Sequence, residues 1–363
     1  MVPNLPRAAH RSSQGRGNPL TDWSRSRMRS TRLLTLTAAS AVIALGLVGC
    51  ATGSGAETGG QPEGTIAVEH AFGTSYVPED PERVATVAWS NHEVPLALGV
   101  VPVGMAKAGF GGVDVLPWTQ EALDELGAET PVLFDEADGI DFEAVADTEP
   151  DVILAGYSGL TQEDYDTLSE IAPVVAYPEA AWSTGWRELI EINSLGMGMA
   201  EEGEELIAEI EQTIADETAK HPELEGLTAG FITHVDVSDL SQVSYYTTQD
   251  SRVAFFEDLG LSFPAGIAAA SAETDEFSLS QSAEQADFFD DVDIIVTYGA
   301  DLLDVLKADP LLSQIPAVQS ESVVLLDGDT ALGAAATPTP LAITWALDDY
   351  LGLFAEAAAK RGQ

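Results

Sequence analysis

The chain has 363 residues, 45% hydrophobic and 7% aromatic, enough for two folded lobes of roughly 130–150 residues rather than one small core. Its 60 acids against 15 Lys and Arg give a formal charge of −45, and seven of those bases precede residue 50, where Asp22 is the one acid. The 8 bases and 59 acids that follow exclude a nucleic-acid partner, since that requires neutralising phosphates; such acidity keeps a protein hydrated and suits a saline medium.

Residues 1–27 read as an upstream extension ahead of a start at Met28. Met28-Arg29-Ser30-Thr31-Arg32 is a short basic segment, and Leu33 to Val48 is an uncharged apolar run too short to span a bilayer comfortably. Residues 28–49 are therefore expected to be a signal peptide. Its end, Leu47-Val48-Gly49-Cys50, resembles the bacterial lipobox, whose cysteine is acylated after cleavage. A lipid (palmitate-type) on Cys50 would anchor the protein to the outer face of the cytoplasmic membrane without threading through it. Cys50 is the one cysteine, so an internal disulfide is excluded. Residues 50–65 form a Gly-, Ser- and Thr-rich tether.

Short apolar runs then alternate with amphipathic segments. Strands are expected at Arg83 to Ala88, Val101 to Met105, Asp151 to Ala155 and Val174 to Ala176, with helices at Asn91 to Leu98, Phe142 to Asp147 and Gln162 to Glu170. The later half repeats the theme: strands at Gly230 to Val235, Ile294 to Thr297 and Val323 to Leu326, helices at Ser251 to Leu259, Ala283 to Phe289 and Leu341 to Ala358. This alternation predicts an α/β protein with parallel sheets covered on both faces. Between the halves, Glu201 to Lys220 is helical by composition, with Leu206, Ile210 and Ile214 on one stripe and acids crowding its start. His221-Pro222 ends it.

The runs PERVATVAWSNHEVPLALGVVPVGMA, DFEAVADTEPDVILAGYSGLTQEDYDTLSEIAPVVAY, RVAFFEDLGL, FSLSQSAEQADFFDDVDIIVTYG and DPLLSQIPAVQSESVVLLDGD, in that order, resemble the binding proteins of iron-siderophore ABC importers. The resemblance covers nearly everything from residue 66 to 360. It implies two Rossmann-like lobes (66–199 and 222–363) joined by a single long helix (200–221), the helical-backbone or class III arrangement, with the ligand in the inter-lobe cleft. It further implies a monomer with no resident cofactor that captures an Fe(III)-siderophore and delivers it to a membrane permease, with a separate ATPase supplying energy. One exposed glutamate per lobe docks such proteins onto the permease; Glu143 in Asp141-Phe142-Glu143 and Glu284 in Ser282-Ala283-Glu284 match, although a first-turn acid also suits a helix end.

Ligands in open α/β sheets sit beyond the carboxyl ends of strands. This points to Trp89-Ser90, Tyr157-Ser158, Tyr245-Tyr246 and Tyr298, with Trp118, Trp182 and Phe277 on loops able to reach the same space, their aromatics as the lining for an awkwardly shaped chelate. Arg252, at a helix start, suits either a charge-assisted contact to chelating oxygens or a structural ion pair. The lack of a basic cluster favours a neutral or cationic hydroxamate chelate over a tricatecholate anion. Direct binding of zinc or manganese is not expected, because His70, His92, His221 and His234 show no ligand-like spacing. Haem or cobalamin is the alternative within the same architecture, with His92 as an axial ligand to test. A secreted hydrolase is more remote: Gly156-Tyr157-Ser158-Gly159 follows a strand, but Leu160 stands where G-x-S-x-G needs glycine.

Overall fold

The computed structural model describes residues 61–233, 239–299 and 301–361. The expected extension, signal peptide, Cys50 and most of the tether, with His234 and Val235, lie outside the described residues.

The described chain opens on an antiparallel hairpin of β1 (Thr65–His70) and β2 (Gly73–Pro78), with Thr65 opposite Pro78. Alternation in TIAVEH turns Val68 and His70 inward and Glu69 outward. Then come β3 (Val84–Thr86), α1 (Glu93–Ala97), β4 (Gly104–Ala106), α2 (Pro117–Glu125), β5 (Val132–Phe134), α3 (Phe142–Asp147), β6 (Val152–Ala155), α4 (Gln162–Ser169) and β7 (Val174–Ala176). The five strands from β3 onward form a parallel sheet in the order β5-β4-β3-β6-β7. The inner strands are continuous apolar runs because helices cover both faces; all four residues of β6 are buried.

Next, α5 (Trp186–Gly196) leads into α6 (Ala200–Thr218). Its 19 residues make a rod of about 28 Å, with Ile210 and Ile214 buried and Glu201 and Glu202 in its first turn. Gly203 lets α6 lie close on α5: a Cβ there would fall 2.2 Å from Ser194 Oγ.

The later half comprises β8 (Ala229–Phe231), β9 (Gln242–Tyr246), α7 (Ser251–Asp258), α8 (Ala265–Ser271), β10 (Ser278–Ser282), β11 (Ile294–Tyr298), α9 (Leu302–Ala308), α10 (Pro316–Gln319), β12 (Val323–Leu326), α11 (Ala331–Ala334) and α12 (Pro340–Lys360). Its parallel sheet runs β12-β11-β8, and an antiparallel pair β9–β10 adjoins it through a bridge between Ile232 and Tyr245. The segment Ala283–Phe289, expected to be α-helical, is a 3₁₀ helix interrupted at Gln285. The architecture is thus α/β, with two Rossmann-like halves joined by one long helix.

Both halves use one device to set their central strands. Asp151, just before β6, accepts the N–H groups of Glu82 and Arg83 at 3.0 and 2.9 Å. Asp293, just before β11, accepts that of Thr228 at 3.0 Å. Each carboxylate holds the start of the neighbouring strand in register.

The long α12 returns across the molecule. It packs on α6, α1 and α2 as well as on β11 and β12, burying Ile343, Leu347, Tyr350, Leu351 and Phe354. Those five side chains contribute about 10 kcal/mol of gross apolar burial. The buried carboxylate of Glu93 on α1 receives the helix end, accepting from Leu341 N–H (3.0 Å), Ala342 N–H (3.3 Å) and Trp118 Nε1–H (2.7 Å).

Candidate ligand-binding site

The carboxyl ends of β3 and β6 carry the first two expected aromatics. The backbone turns sharply after β3: Ala88 and Ser90 both adopt left-handed φ, +60° and +63°, on either side of Trp89. Such conformations cost non-glycine residues about 1–3 kcal/mol each and persist only where surrounding contacts enforce them. Here Ala88 N–H is held by the Glu136 carboxylate, at 3.1 and 3.0 Å from its two oxygens.

Fully buried Asn91 secures the same turn, donating to Val87 O at 2.8 Å, to Trp89 O at 3.3 Å and to Tyr157 O at 2.9 Å, and accepting Tyr157 N–H at 3.0 Å. The Trp89 and Tyr157 turns are thereby tied to each other. Trp89 itself is partly buried and, like Phe110, packs against the cluster that includes Leu116, Trp118 and Ala342.

Tyr157 meets Trp182 edge-on, with centroids 5.3 Å apart. Trp182 also has left-handed φ, +61°, and its N–H donates to Ser158 O at 3.0 Å. Its indole lies over Gly159, where a Cβ would fall 2.3 Å from Nε1; only glycine leaves that space.

From the other half come Arg252 on α7, Tyr246 on β9 and Tyr298 on β11. Arg252 donates to both oxygens of fully buried Asp250, Nε at 2.8 Å and Nη2 at 2.6 Å, and its guanidinium lies 3.7 Å from the Tyr246 ring centroid. Burial opposes its charge, but the Asp250 carboxylate more than offsets this, so the guanidinium is held protonated well beyond its ordinary range. Burial pushes the Tyr157 phenol up to about 12, partly relieved by Arg252. Tyr246 and Tyr298 are raised by burial too, again with Arg252 acting in the opposite direction. All three phenols are therefore neutral hydrogen-bond donors around one cation. Ser251 Oγ, beside Arg252, lies 3.5 Å from the Tyr157 hydroxyl, so residues of both halves meet here. Phe110 crosses likewise, its ring edge-on to Tyr298 at 5.4 Å.

The structure thus brings Tyr157, Trp182, Arg252 and Tyr298 together, with Phe277 behind them, its ring 6.4 Å from Tyr246. Tyr245 goes elsewhere. Adjacent strand residues face opposite sides, and Tyr245 is buried against Phe288 and Phe289, leaving Tyr246 on the Arg252 side. Arg252 is also a structural ion pair. Between the loop bearing Trp182 and the loop leading into α7 lies a cavity of about 270 Å³ lined by Glu179, Ala180, Ser183, Thr184, Glu188, Gln249 and Asp275. Burial and the nearby Glu179 charge raise the Glu188 carboxyl.

Two rival assignments lose their geometry. His92 is buried with Nε2 3.1 Å from Thr119 Oγ1 on α2, and burial lowers it to about 4; it faces the helix layer. Ser158 is fully buried and donates to Ala155 O at 2.8 Å, so its hydroxyl closes the turn.

Glu143 and Glu284 are exposed. They stand in the first turns of α3 and of the Ala283–Phe289 segment, behind Asp141 and Ser282, which cap Ala144 N–H and Glu284 N–H. Neither forms an ion pair among the described residues.

A sequence profile of the periplasmic binding protein family matches residues 84–330. Among solved structures, PiaA of Streptococcus pneumoniae TIGR4 in complex with ferrichrome is 45% identical, with a TM-score of 0.78 over 81% of this chain and 99% of that one. A periplasmic solute binding protein from Mycobacterium smegmatis str. MC2 155 is 25% identical, with a TM-score of 0.66 over 82% of this chain and all of that one. The probable siderophore-binding lipoprotein YfiY of Bacillus subtilis (strain 168) is 27% identical over 241 residues, 65% of this chain and 70% of that protein.

Proposed function

The chain belongs to the periplasmic binding protein family, and from that premise we propose that it captures an Fe(III)-siderophore of hydroxamate type outside the cell and delivers it to an ABC importer. The observation that carries this reading is the Arg252 guanidinium surrounded by the neutral phenols of Tyr157, Tyr246 and Tyr298. Hydroxamate oxygens bound to iron accept hydrogen bonds, and this cluster supplies charged and neutral donors from both halves. The aromatic faces of Trp182, Phe277 and Trp89 suit the apolar parts of a chelate.

Glu179, Glu188 and Asp275 around the neighbouring cavity disfavour a multiply anionic tricatecholate and favour a neutral or cationic complex. The 45% identity to a protein solved with ferrichrome supports the same ligand class.

In this reading the protein does no chemistry. A lipid on Cys50 keeps the monomer at the outer face of the membrane, Glu143 and Glu284 seat it on arginines of the permease, and another polypeptide hydrolyses ATP. Calorimetric titration with ferrichrome, ferrioxamine, a ferric tricatecholate, ferric citrate, haem and cobalamin, each iron chelate paired with its metal-free form, tests it. Selective, saturable binding of a ferric hydroxamate is expected; a response confined to haem or cobalamin would keep the fold and replace the ligand.

A further inference from the structure

Trp89 stands between two left-handed residues, and this strained turn is fastened from two sides. Glu136 reaches it from the loop after β5, 48 residues away, with both oxygens on Ala88 N–H. Asn91 fastens it from within and joins it to the Tyr157 turn, 66 residues away, while Asn193 on α5 donates to Asn91 Oδ1 at 3.2 Å and braces the amide.

We propose that Glu136 and Asn91 are positioning residues, a polar clamp that holds Trp89 and Tyr157 at the spacing the ligand requires. The clamp deepens the function proposed above and rests on it. Two left-handed residues flank Trp89, and a partly buried carboxylate is committed with both oxygens to a single N–H. Anchoring aromatics at fixed separation lowers the ordering cost of binding.

The carboxylate's charge gives the clamp a signature. Burial raises Glu136 to about 7, with Ala88 N–H pulling in the opposite direction. The ionised form is the stronger acceptor, so the turn is held tightly above pH 7 and loosens below it. The ionisable groups on the surrounding segments include Asp135, paired with Lys107 at 3.1 Å, Asp138, Asp114, Tyr157, His92, which faces Thr119, and Glu93, which faces Trp118 and the start of α12.

The test uses the full-length chain labelled with 5-fluorotryptophan, the Trp89 signal being assigned by its loss in Trp89→Phe. In the wild type that ¹⁹F signal should move with a midpoint near pH 7, and in Glu136→Gln it should stay fixed between pH 5.5 and 8.5. Ferrichrome affinity should weaken about fivefold from pH 8 to pH 6 in the wild type and change less than twofold in Glu136→Gln. Asn91→Ala is the blunter probe and risks misfolding; Glu136→Gln keeps an acceptor in place. A Trp89 signal that does not titrate, or that titrates identically in Glu136→Gln, overturns the clamp. A titrating signal with pH-independent affinity also overturns it as a determinant of binding. If the wild type binds no ferric hydroxamate, the function falls, and the fluorine arm alone decides whether the turn is held as described.

Discussion

Replacing Glu93 by alanine should be among the most damaging single changes in the protein. The carboxylate is fully buried, and its loss leaves three donors without their acceptor: Trp118 Nε1–H, Leu341 N–H and Ala342 N–H. Trp118 and Ala342 are buried, and an orphaned buried donor costs about 1–3 kcal/mol. Two such losses put the expected destabilisation at about 4 kcal/mol, a large share of the roughly 5–15 kcal/mol that holds a folded domain. With a urea dependence of about 3 kcal/mol per molar, the unfolding midpoint should fall by about 1 M. Circular dichroism and tryptophan fluorescence followed together would measure it. In a Trp118→Phe background the same change should cost about 1–3 kcal/mol less, because one donor is already gone. An unchanged midpoint for Glu93→Ala would refute the assignment of this carboxylate as the cap of α12, and strict additivity with Trp118→Phe would refute its bond to the indole.

Three further outcomes follow from the site. Folding raises Glu136 from 4.5 to about 7, so the folded state prefers its neutral form and wild-type stability declines as pH rises from about 4.5 to 7. Glu136→Gln should lack that decline and be more stable above pH 7 by about 2–3 kcal/mol; a wild-type-to-variant gap in melting temperature that is flat across this window would contradict it. Asp250→Asn removes the partner of a buried guanidinium and should destabilise by about 3 kcal/mol or more, read as a fall in calorimetric melting temperature; no fall would show that the pair is not needed to hold Arg252. Reversing charge at both Glu143 and Glu284 to lysine should abolish uptake of the ferric chelate by cells while leaving affinity within about twofold. Loss of affinity itself would count against a docking role.

Much of this fold is legible as a pattern. Continuous apolar runs such as Val152–Ala155 and Val323–Leu326 can be only buried strands or short core helices, and their alternation with polar-faced segments settles the choice. The hairpin β1–β2 and the pair β9–β10 are not among the elements the apolar runs announce. Gln242–Tyr246 places Tyr245 and Tyr246 side by side, so alternation alone does not reveal which one faces the core. The expected site was read from strand ends, a local property, and Tyr157, Arg252 and Tyr298 do converge. Asn91 and Glu136 escaped because their bonds join positions dozens of residues apart, which no local pattern records. Phe110 lay inside a glycine-rich stretch, and such composition marks a turn without saying what the turn crosses.

The path of α12 has a consequence for how the chain comes to be folded. The first sheet and its helices are synthesised early, yet part of the covering of α1 and α2 comes from residues 340–360, the last of the described helices in chain order. Until those residues arrive, Glu93 has no helix end to receive, and the sides of α1, α2 and α6 that α12 covers stay open. The early half is therefore completed by a helix that synthesis reaches only after every strand of the later half.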